Sequence, residues 1–225
     1  MSEVLKNVMS LYPSRPKSAI LMSGSGSNAI NLLTNSHLRD LYDFTTVVTD
    51  NEHSNAGSIA QANNLDYIEM HQDRFYSSVE RHQYFDSLAH KLAQRGITAA
   101  IYAGFMKITS DKFASTFPGV NVHPADLTVT GPDGIALHRG MEALTTMRAQ
   151  TGGLIAASVH VVDNPVDTGA VIAVSNSITC PATYSDKDCH ELLKHREHVI
   201  YPKALIGLAE KTISLNTVPI REEDL

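Results

Sequence analysis

The sequence of 225 residues has the length of one domain, or of one domain with an appendage. Hydrophobic residues make up 43% and charged residues 19%, a composition that supports a packed core and argues against wholesale disorder. The formal net charge is −6 and no basic stripe runs along the chain, which argues against a nucleic-acid partner. The composition therefore favours small-molecule substrates.

The cysteines and the chain start bear on the compartment. Cys180 and Cys189 have a spacing that fits neither a zinc knuckle nor a redox pair, so we predict two reduced, partly buried thiols. No secretory pattern opens the chain, and no stretch approaches the ~20 apolar residues of a membrane span. We therefore predict a cytoplasmic protein without a membrane partner; the sequence does not reveal its oligomeric state.

The first half of the chain alternates between strand and helix. Residues 1–16 are predicted as a short leader, followed by a buried strand at 19–22, a tight glycine turn and a helix from Ser27 or Asn28. The same patterns predict strands at 44–50, 66–70, 98–105 and 119–124, and helices at 54–65 and 77–96. Such alternation is typical of a doubly wound α/β fold with a mainly parallel sheet and a Rossmann-like N-terminal half.

The pattern changes after about residue 125. Residues 125–137 are predicted as a loop or hairpin with Pro132, Asp133 and Gly134 at its turn. A helix over 140–150, two strands at 156–163 and 170–178, and a long helix from about Ser185 to Lys211 follow. We expect 17–225 to form a single domain.

The glycine turn, residues 23–28, reads Ser-Gly-Ser-Gly-Ser-Asn between a strand and a helix. Backbone N–H groups at a helix start attract anions, and glycine lets a phosphate approach closely. The dinucleotide pattern G-x-G-x-x-G is incomplete because Ala29 stands where the third glycine is required. A tight turn that binds nothing is the alternative; if the turn binds a ligand, a mononucleotide-like phosphate fits better than NAD.

A polar pair marks the end of the strand at 119–124. Asn121 and His123 are two residues apart, so their side chains point to the same face of an extended strand. The carboxyl ends of parallel strands are where open α/β sheets place ligands. A carboxylate that could orient His123 lies in the later loop Asp-Asn-Pro-Val-Asp-Thr-Gly, with Asp167 and Asp163 as the two candidates.

Several separate motifs together resemble the folate-dependent formyltransferase family, and within it the branch that formylates glycinamide ribonucleotide. The similar segments are Asn-Val-His-Pro at 121–124, Ser-Val-His at 158–160 with Asp-Thr-Gly at 167–169, the glycine turn, Ala-Gly-Phe-Met-Lys-Ile at 103–108, and Glu-His-Val-Ile-Tyr-Pro at 197–202. The resemblance extends over residues 17–212.

The resemblance implies a catalytic, an acceptor and a donor set. The implied catalytic set is Asn121, His123 and Asp167. The acceptor's phosphate, sugar and amine are implied to contact Gly26, Ser27, Asn28, Lys194 and Glu197. The folate pocket is implied to contain Met106, Lys107, Ile108 and Val162, with Arg81 assisting. The implied co-substrate is 10-formyltetrahydrofolate, without a metal ion.

The implied chemistry explains the strand-end pair. When an amine attacks the formyl carbon, negative charge grows on the formyl oxygen, and Asn121 with a protonated His123 can donate hydrogen bonds to it. Asp167 can pair with His123 and help to pass the proton of the amine.

The loop at 125–139 is the largest departure from the family. It is longer than usual, and the family's His-x-His pair is reduced to His138. This leaves the acceptor open: another amine such as an amino sugar nucleotide, or water in a formyltetrahydrofolate hydrolase, are alternatives. A nicotinamide-dependent oxidoreductase and a non-catalytic folate- or nucleotide-binding protein are the rivals from other classes.

Overall fold

The computed structural model describes residues 15–213 and 219–225, and the predicted leader lies outside this part of the chain except for its last two residues. The chain falls into two compact units, the first ending at Asn121 and the second beginning at Val122. The boundary lies inside a strand that ends at His123. The prediction of one formyltransferase domain over 17–225 stays a prediction.

The first unit is a parallel sheet with helices between its strands. Its elements are β1 (Lys17–Met22), α1 (Ser27–Thr34), α2 (Ser36–Leu41), β2 (Asp43–Thr49), α3 (Ala56–Asn63), β3 (Asp66–Glu69), α4 (Ser78–Ala93), β4 (Ala99–Tyr102), α5 (Asp111–Thr116) and the start of β5 (Gly119–His123). The strands pair in the order β5-β4-β1-β2-β3, all parallel. This order is the Rossmann-like arrangement.

Hydrophobic burial accounts for these elements. The run Ala19–Met22 in the central strand β1 is completely buried, as a continuous apolar run predicts for a parallel strand whose sheet is covered on both faces. Along α4, Tyr84, Phe85, Leu88 and Leu92 are the buried residues, and the side chain of Ser77 caps the helix by accepting the N–H of Glu80. The core therefore sits between the sheet and the apolar faces of its helices.

The second unit begins within β5 and contains α6 (Ala143–Gln150), β6 (Leu154–Ile155), β7 (Ser158–Val161), β8 (Val171–Val174), β9 (Ile178–Thr179), α7 (Asp186–Ala209), β10 (Ile220–Arg221) and a 3-10 turn (Glu222–Asp224). β8 runs antiparallel to β7 and parallel to β10. β6 and β9 form a separate antiparallel pair. A capping box starts α7, where the side chains of Ser185 and Asp188 each accept the other residue's backbone N–H.

The two cysteines are joined in a disulfide, so the prediction of reduced thiols is wrong. Cys180 directly follows β9 and Cys189 lies in the first turn of α7, which places their Cα atoms 5.7 Å apart, within the usual disulfide range. Arg148 holds the intervening loop: its guanidinium donates to the carbonyls of Pro181, Ala182 and Tyr184. The return of the chain at this loop, rather than a local motif, makes the pairing possible.

The α/β class and the mainly parallel sheet are confirmed. The predicted strand at 98–105 ends earlier, at Tyr102, because the chain turns at Gly104, whose φ is +81°. The short helices α2 and α5 were not predicted, since six residues carry little periodicity. Within residues 15–213 and 219–225, no helix is long and apolar enough to cross a membrane.

Candidate active site

The glycine turn of the first unit connects β1 to α1. Gly26 lies at the start of α1 with φ +77°, and its carbonyl accepts the N–H of Ile30. A Cβ at Gly26 would overlap the side chains of Ile59 and Met22, so both the backbone angle and the space require glycine. Ser27 and Asn28 form the first turn of α1, and the backbone N–H groups at a helix start favour an anion.

The predicted folate residues 106–108 follow β4 in the same unit. The side chains of Met106 and Ile108 are 51% and 49% exposed, which leaves apolar surface available to a ligand. Lys107 differs from a free surface cation. Its Nζ donates to the carbonyl of Asp73 at 2.8 Å and lies 3.6 Å from Asp50 Oδ2. The ammonium group of Lys107 is thus held within the unit.

Asn121 and His123 lie at the end of β5, on alternate positions as predicted. Asn121 is half-buried, whereas His123 is buried, with 4% exposure. The Nε2 atom of His123 lies 2.9 Å from the carbonyl oxygen of His138. Because a carbonyl only accepts, this nitrogen carries a proton.

Asp167 brings the predicted carboxylate to His123 within the second unit. Its Oδ2 lies 3.5 Å from His123 Nδ1 and accepts the N–H of Gly140 at 2.8 Å. Asp167 has a φ of +55°, a conformation that is uncommon outside glycine and that often marks a functional loop. Of the two candidate carboxylates, Asp163 instead accepts the N–H of Asn164. Asp167 is therefore the carboxylate that lies next to His123.

The loop reaches this position because Gly169 permits it. A Cβ at Gly169 would overlap the carbonyl of Val161 at the end of β7, so a larger residue would push the returning chain away. The motif Asp-Thr-Gly thus has a packing reason: the glycine presses the loop against β7 and fixes Asp167 two residues before it. With glycine there, β7 and β8 pair directly on either side of the loop.

His160 on β7 is the third side chain of the cluster with His123 and Asp167. It lies in the Ser-Val-His motif, but no role was predicted for it from the sequence. Its Nδ1 donates to the carbonyl of Val161 at 2.9 Å, and its Nε2 lies 3.5 Å from Asp167 Oδ1. Burial lowers the pKa of His160 to about 4, against the partial opposing effect of the Asp167 carboxylate. The imidazole is therefore neutral at physiological pH and points a lone pair at Asp167.

This pairing prepares the site to accept a proton. The Nε2 atom of His160 and Oδ1 of Asp167 are 3.5 Å apart, close enough for the two groups to share a proton that reaches them. On the other side, both ring nitrogens of His123 face oxygen acceptors. The cluster therefore combines a donor imidazole with a proton-accepting pair.

The loop at 125–139 holds the cluster from one side. Thr130 and Ala136 bridge across a hairpin whose turn is at Pro132–Gly134, as predicted. Beyond it, the His138 carbonyl contacts His123, and the N–H of Gly140 contacts Asp167. His138 itself is buried, its Nδ1 has no hydrogen-bond partner among the described residues, and burial lowers its pKa. Gly140 thus supplies a backbone donor to the Asp167 carboxylate.

The remaining predicted residues lie outside this cluster's hydrogen bonds. In α7, Lys194 donates to Glu191 at 2.6 Å, and the buried Glu197 lies 3.9 Å from His190 Nε2. Arg81 is half-buried in α4, and its Nε makes no hydrogen bond within the described chain. Val162 is half-buried directly after β7. Their assignment to acceptor and folate stays a prediction.

Ser23 and Asp50 form a further polar pair, in the first unit, and neither residue was assigned a role from the sequence. Each follows a parallel strand directly, β1 for Ser23 and β2 for Asp50, and that position was the available signal. In the part of the chain that the structure describes, no group of three or more His, Cys, Asp or Glu side chains is arranged to hold a metal ion.

Comparison with known proteins identifies the class. Residues 16–205 match the formyl transferase family, and the chain therefore belongs to that family. Phosphoribosylglycinamide formyltransferase of Escherichia coli K12 is 26% identical over 199 residues, which cover 88% of this chain and 89% of that protein. The trifunctional purine biosynthetic protein adenosine-3 of Drosophila melanogaster is 29% identical over 204 residues, 88% of this chain.

The match to the Drosophila protein covers 14% of that protein's length. Solved structures agree on the fold. Glycinamide ribonucleotide transformylase 1 from Symbiobacterium toebii superimposes with a TM-score of 0.72 at 23% identity, over 92% of each chain. Phosphoribosylglycinamide formyltransferase from Bacillus halodurans gives 0.73 at 20% identity, over 87% of this chain and 96% of that one. The formyltransferase fold expected from the sequence is thus confirmed.

Proposed function

We propose that this protein transfers a formyl group from 10-formyltetrahydrofolate to the amine of glycinamide ribonucleotide. The observation that carries the proposal is the pairing of His123 with Asp167 at the end of β5, in a chain of the formyl transferase family. Relatives named for phosphoribosylglycinamide formyltransferase support the acceptor. The partners are then two small molecules, and we keep the cytoplasmic location inferred from the sequence.

In this proposal the acceptor amine attacks the formyl carbon and the formyl oxygen gains negative charge. The Asn121 amide and the His123 imidazolium donate to that oxygen, an arrangement worth about 3 kcal/mol per donor in other enzymes. The Nε2 proton of His123 is held by the His138 carbonyl at 2.9 Å, so this nitrogen exchanges one oxygen acceptor for another when it engages the substrate. Asp167 keeps the ring oriented during the exchange.

The proton released by the amine goes to the pair formed by Asp167 and His160. The Oδ1 atom of Asp167 and Nε2 of His160 lie 3.5 Å apart, so both groups are within reach of the same proton. Collapse of the tetrahedral intermediate then breaks the bond between the formyl carbon and the folate nitrogen. That nitrogen takes the proton from the pair of Asp167 and His160, so tetrahydrofolate and the formylated amine leave and the pair returns to its starting state.

Substrate binding follows the sets predicted from the sequence. We assign the acceptor's phosphate to the N–H groups at Gly26, Ser27 and Asn28, assisted by Lys194, and its sugar or amine region to Glu197. We assign the folate to Arg81, Met106, Lys107, Ile108 and Val162. Because the ammonium of Lys107 is engaged inside its unit, we expect its aliphatic stem and backbone, rather than its charge, to face the folate.

An acceptor screen tests the function. The loss of 10-formyltetrahydrofolate is followed spectroscopically with glycinamide ribonucleotide, with other amines including amino sugar nucleotides, and with buffer alone. We expect loss that depends on glycinamide ribonucleotide, with the formylated amine identified by mass spectrometry. Loss in buffer alone means a hydrolase, a different preferred amine corrects the acceptor, and no loss with any amine points to a non-catalytic binding protein.

A further inference from the structure

The ends of three neighbouring parallel strands meet around one carboxylate in the first unit. Met22 at the end of β1 pairs with Thr49 at the end of β2, and Leu21 pairs with Tyr102 at the end of β4. The residues that follow are Asp50 after β2, Ser23 after β1, and the donor segment after β4, which we define as residues 104–108. Asp50 is 4% exposed, and a buried carboxylate is costly unless its partners satisfy it.

The first partner of Asp50 is the hydroxyl of Ser23. Ser23 Oγ donates a hydrogen bond to Asp50 Oδ1 and accepts one from the N–H of Met106 at 2.9 Å. The backbone N–H of Ser23 also donates to the carbonyl of Gly104 at 3.0 Å. The carboxylate thereby fixes the direction of the hydroxyl, and the hydroxyl fixes the donor segment at the start of the glycine turn.

The second partner is Lys107. Its Nζ lies 3.6 Å from Asp50 Oδ2, 2.8 Å from the Asp73 carbonyl oxygen and 5.8 Å from the centre of the Phe75 ring. Only 13% of the lysine side chain is exposed. The ammonium group of Lys107 pairs with the buried carboxylate of Asp50, and this contact attaches the donor segment to Asp50 at a second residue.

We propose that Asp50 is a positioning residue for the folate donor, acting through Ser23 and Lys107 on the donor segment; the identity of the donor rests on the proposed function. Asp50 fixes the donor segment at two neighbouring residues, at Met106 through Ser23 and at Lys107 directly. Met106 and Ile108 are held in this segment while each stays about half exposed. A ligand that packs on these side chains binds more tightly when they are held in place beforehand.

The kinetic test is a double-mutant cycle of Asp50→Asn and Lys107→Met. The amide keeps an oxygen for Ser23 but removes the charge that pairs with Lys107. We expect Asp50→Asn to raise the KM for 10-formyltetrahydrofolate about tenfold, in the range of a lost charge-assisted contact, with kcat within about twofold. The double variant should match Asp50→Asn alone, because residues that act as a pair are not additive.

The matched control is Asp86→Asn, which removes the carboxylate of an exposed lysine pair in the same unit, Lys112 Nζ to Asp86 Oδ1 at 2.8 Å. Exposed pairs contribute little, so this variant should keep the wild-type KM. An unchanged donor KM in folded Asp50→Asn, or fully additive effects in the double variant, would overturn the proposal. If Asp50→Asn does not fold, Ser23→Ala takes its place, since it removes the hydroxyl that joins Asp50 to Met106 and leaves the pair of Asp50 with Lys107 intact.

Hydrogen exchange separates this proposal from the proposed function, because it needs no substrate. We expect faster amide exchange across 104–108 and at the glycine turn in Asp50→Asn, and wild-type exchange there in Asp86→Asn. Unchanged exchange in both variants would show that Asp50 does not hold the segment. A wild-type protein that fails to bind a folate lacking a transferable formyl group would instead refute the donor assignment, whatever the exchange result.

Discussion

At the scale of single residues, the state of the site depends on where protons reside around Asp167. Its carboxylate contacts the N–H of Gly140 and faces His123 on one side and His160 on the other. The two imidazoles have different surroundings. Both nitrogens of His123 face oxygen acceptors, while His160 is fully enclosed, donates through Nδ1 and stays neutral. One carboxylate thus lies between a proton donor and a proton acceptor.

The lowered pKa of His160 predicts how stability depends on pH. The folded chain keeps His160 neutral down to about pH 4, whereas in the unfolded chain it takes up a proton near its ordinary value of 6.5. Between these values the unfolded state binds more protons, so the free energy of unfolding falls as the pH falls from 6.5 to 4. Urea unfolding of the wild type and of His160→Gln across this range measures the effect.

The variant cannot titrate at this position, so its stability should fall less steeply with acid than that of the wild type. The lowered pKa of His138 acts in the same direction in both proteins, which makes the difference between the two slopes the decisive quantity. Parallel slopes for the wild type and His160→Gln would mean that the pKa of His160 is the same in the folded and the unfolded chain, and would contradict the prediction.

At the scale of elements, each of the two units contains a turn that positions polar backbone groups. The glycine turn sets the N–H groups of α1, and the hairpin after His123 sets the carbonyl that contacts the imidazole. The two turns differ in how they are fixed. Gly26 is held by packing against Ile59 and Met22, while the hairpin is closed by its own backbone, as in the bonds Gly131 N–H to Ile135 O at 2.8 Å and Leu137 N–H to Val129 O at 2.9 Å.

The glycine turn offers a matched pair of substitutions. Gly26→Ala places a Cβ against Ile59 and Met22 at a positive φ, and should lower the free energy of unfolding by about 1–3 kcal/mol. Gly24→Ala places its Cβ with no described atom within 4 Å, so a change within about 0.5 kcal/mol is expected. Chemical denaturation of both variants measures the difference; equal losses would mean that the turn adopts another conformation in solution.

The hairpin is the element we expect to select the acceptor. Removing residues 131–135 shortens the loop at 125–139 but keeps His138 and Gly140, and it deletes backbone groups that bond mainly to each other. Kinetics with several amines should show a changed acceptor ranking, because one mispaired polar contact shifts specificity by about 1–3 kcal/mol, while the folate KM stays close to that of the wild type. A changed folate KM with an unchanged ranking would place the hairpin at the donor instead.

At the scale of the whole molecule, the disulfide is the only covalent cross-link among the described residues. It closes a short loop between β9 and α7, and both cysteines are buried. The cross-link joins two elements of the second unit, so its effect should appear in global unfolding rather than in the hydrogen bonds around His123.

Reduction of the disulfide should therefore lower stability measurably. The disulfide closes a loop with a sequence separation of nine residues. Because this lowers the conformational entropy of the unfolded chain, it should add about 2.5–3 kcal/mol to the free energy of unfolding. The denaturation midpoint of the wild type should drop when dithiothreitol is added, while a double variant, Cys180→Ala with Cys189→Ala, should show the same midpoint with and without the reductant. A wild-type midpoint that does not respond to full reduction would contradict this role.

The sequence predicted the periodic features of this molecule and part of its site. The alternation of strand and helix patterns was enough to predict the parallel sheet, because strands that are covered on both faces of a sheet have continuous apolar sequences. The motif at 121–124 and the carboxylate Asp167 were both found, and the structure brings His123 and Asp167 together. The disulfide, the His138 carbonyl and the Asp50 network were not found, since each depends on the chain returning to meet a distant segment.

The most direct measurement of the central claim compares rates of formyl transfer to glycinamide ribonucleotide in four proteins: the wild type, His123→Ala, Asp167→Asn and the same-loop control Asp163→Asn. The account predicts acceptor-dependent loss of 10-formyltetrahydrofolate in the wild type and in Asp163→Asn. It predicts turnover lower by about 10²-fold or more in the other two, with unchanged folding, because each loses a proton donor or acceptor at the reacting centre. Near-wild-type turnover in folded His123→Ala or Asp167→Asn would contradict it.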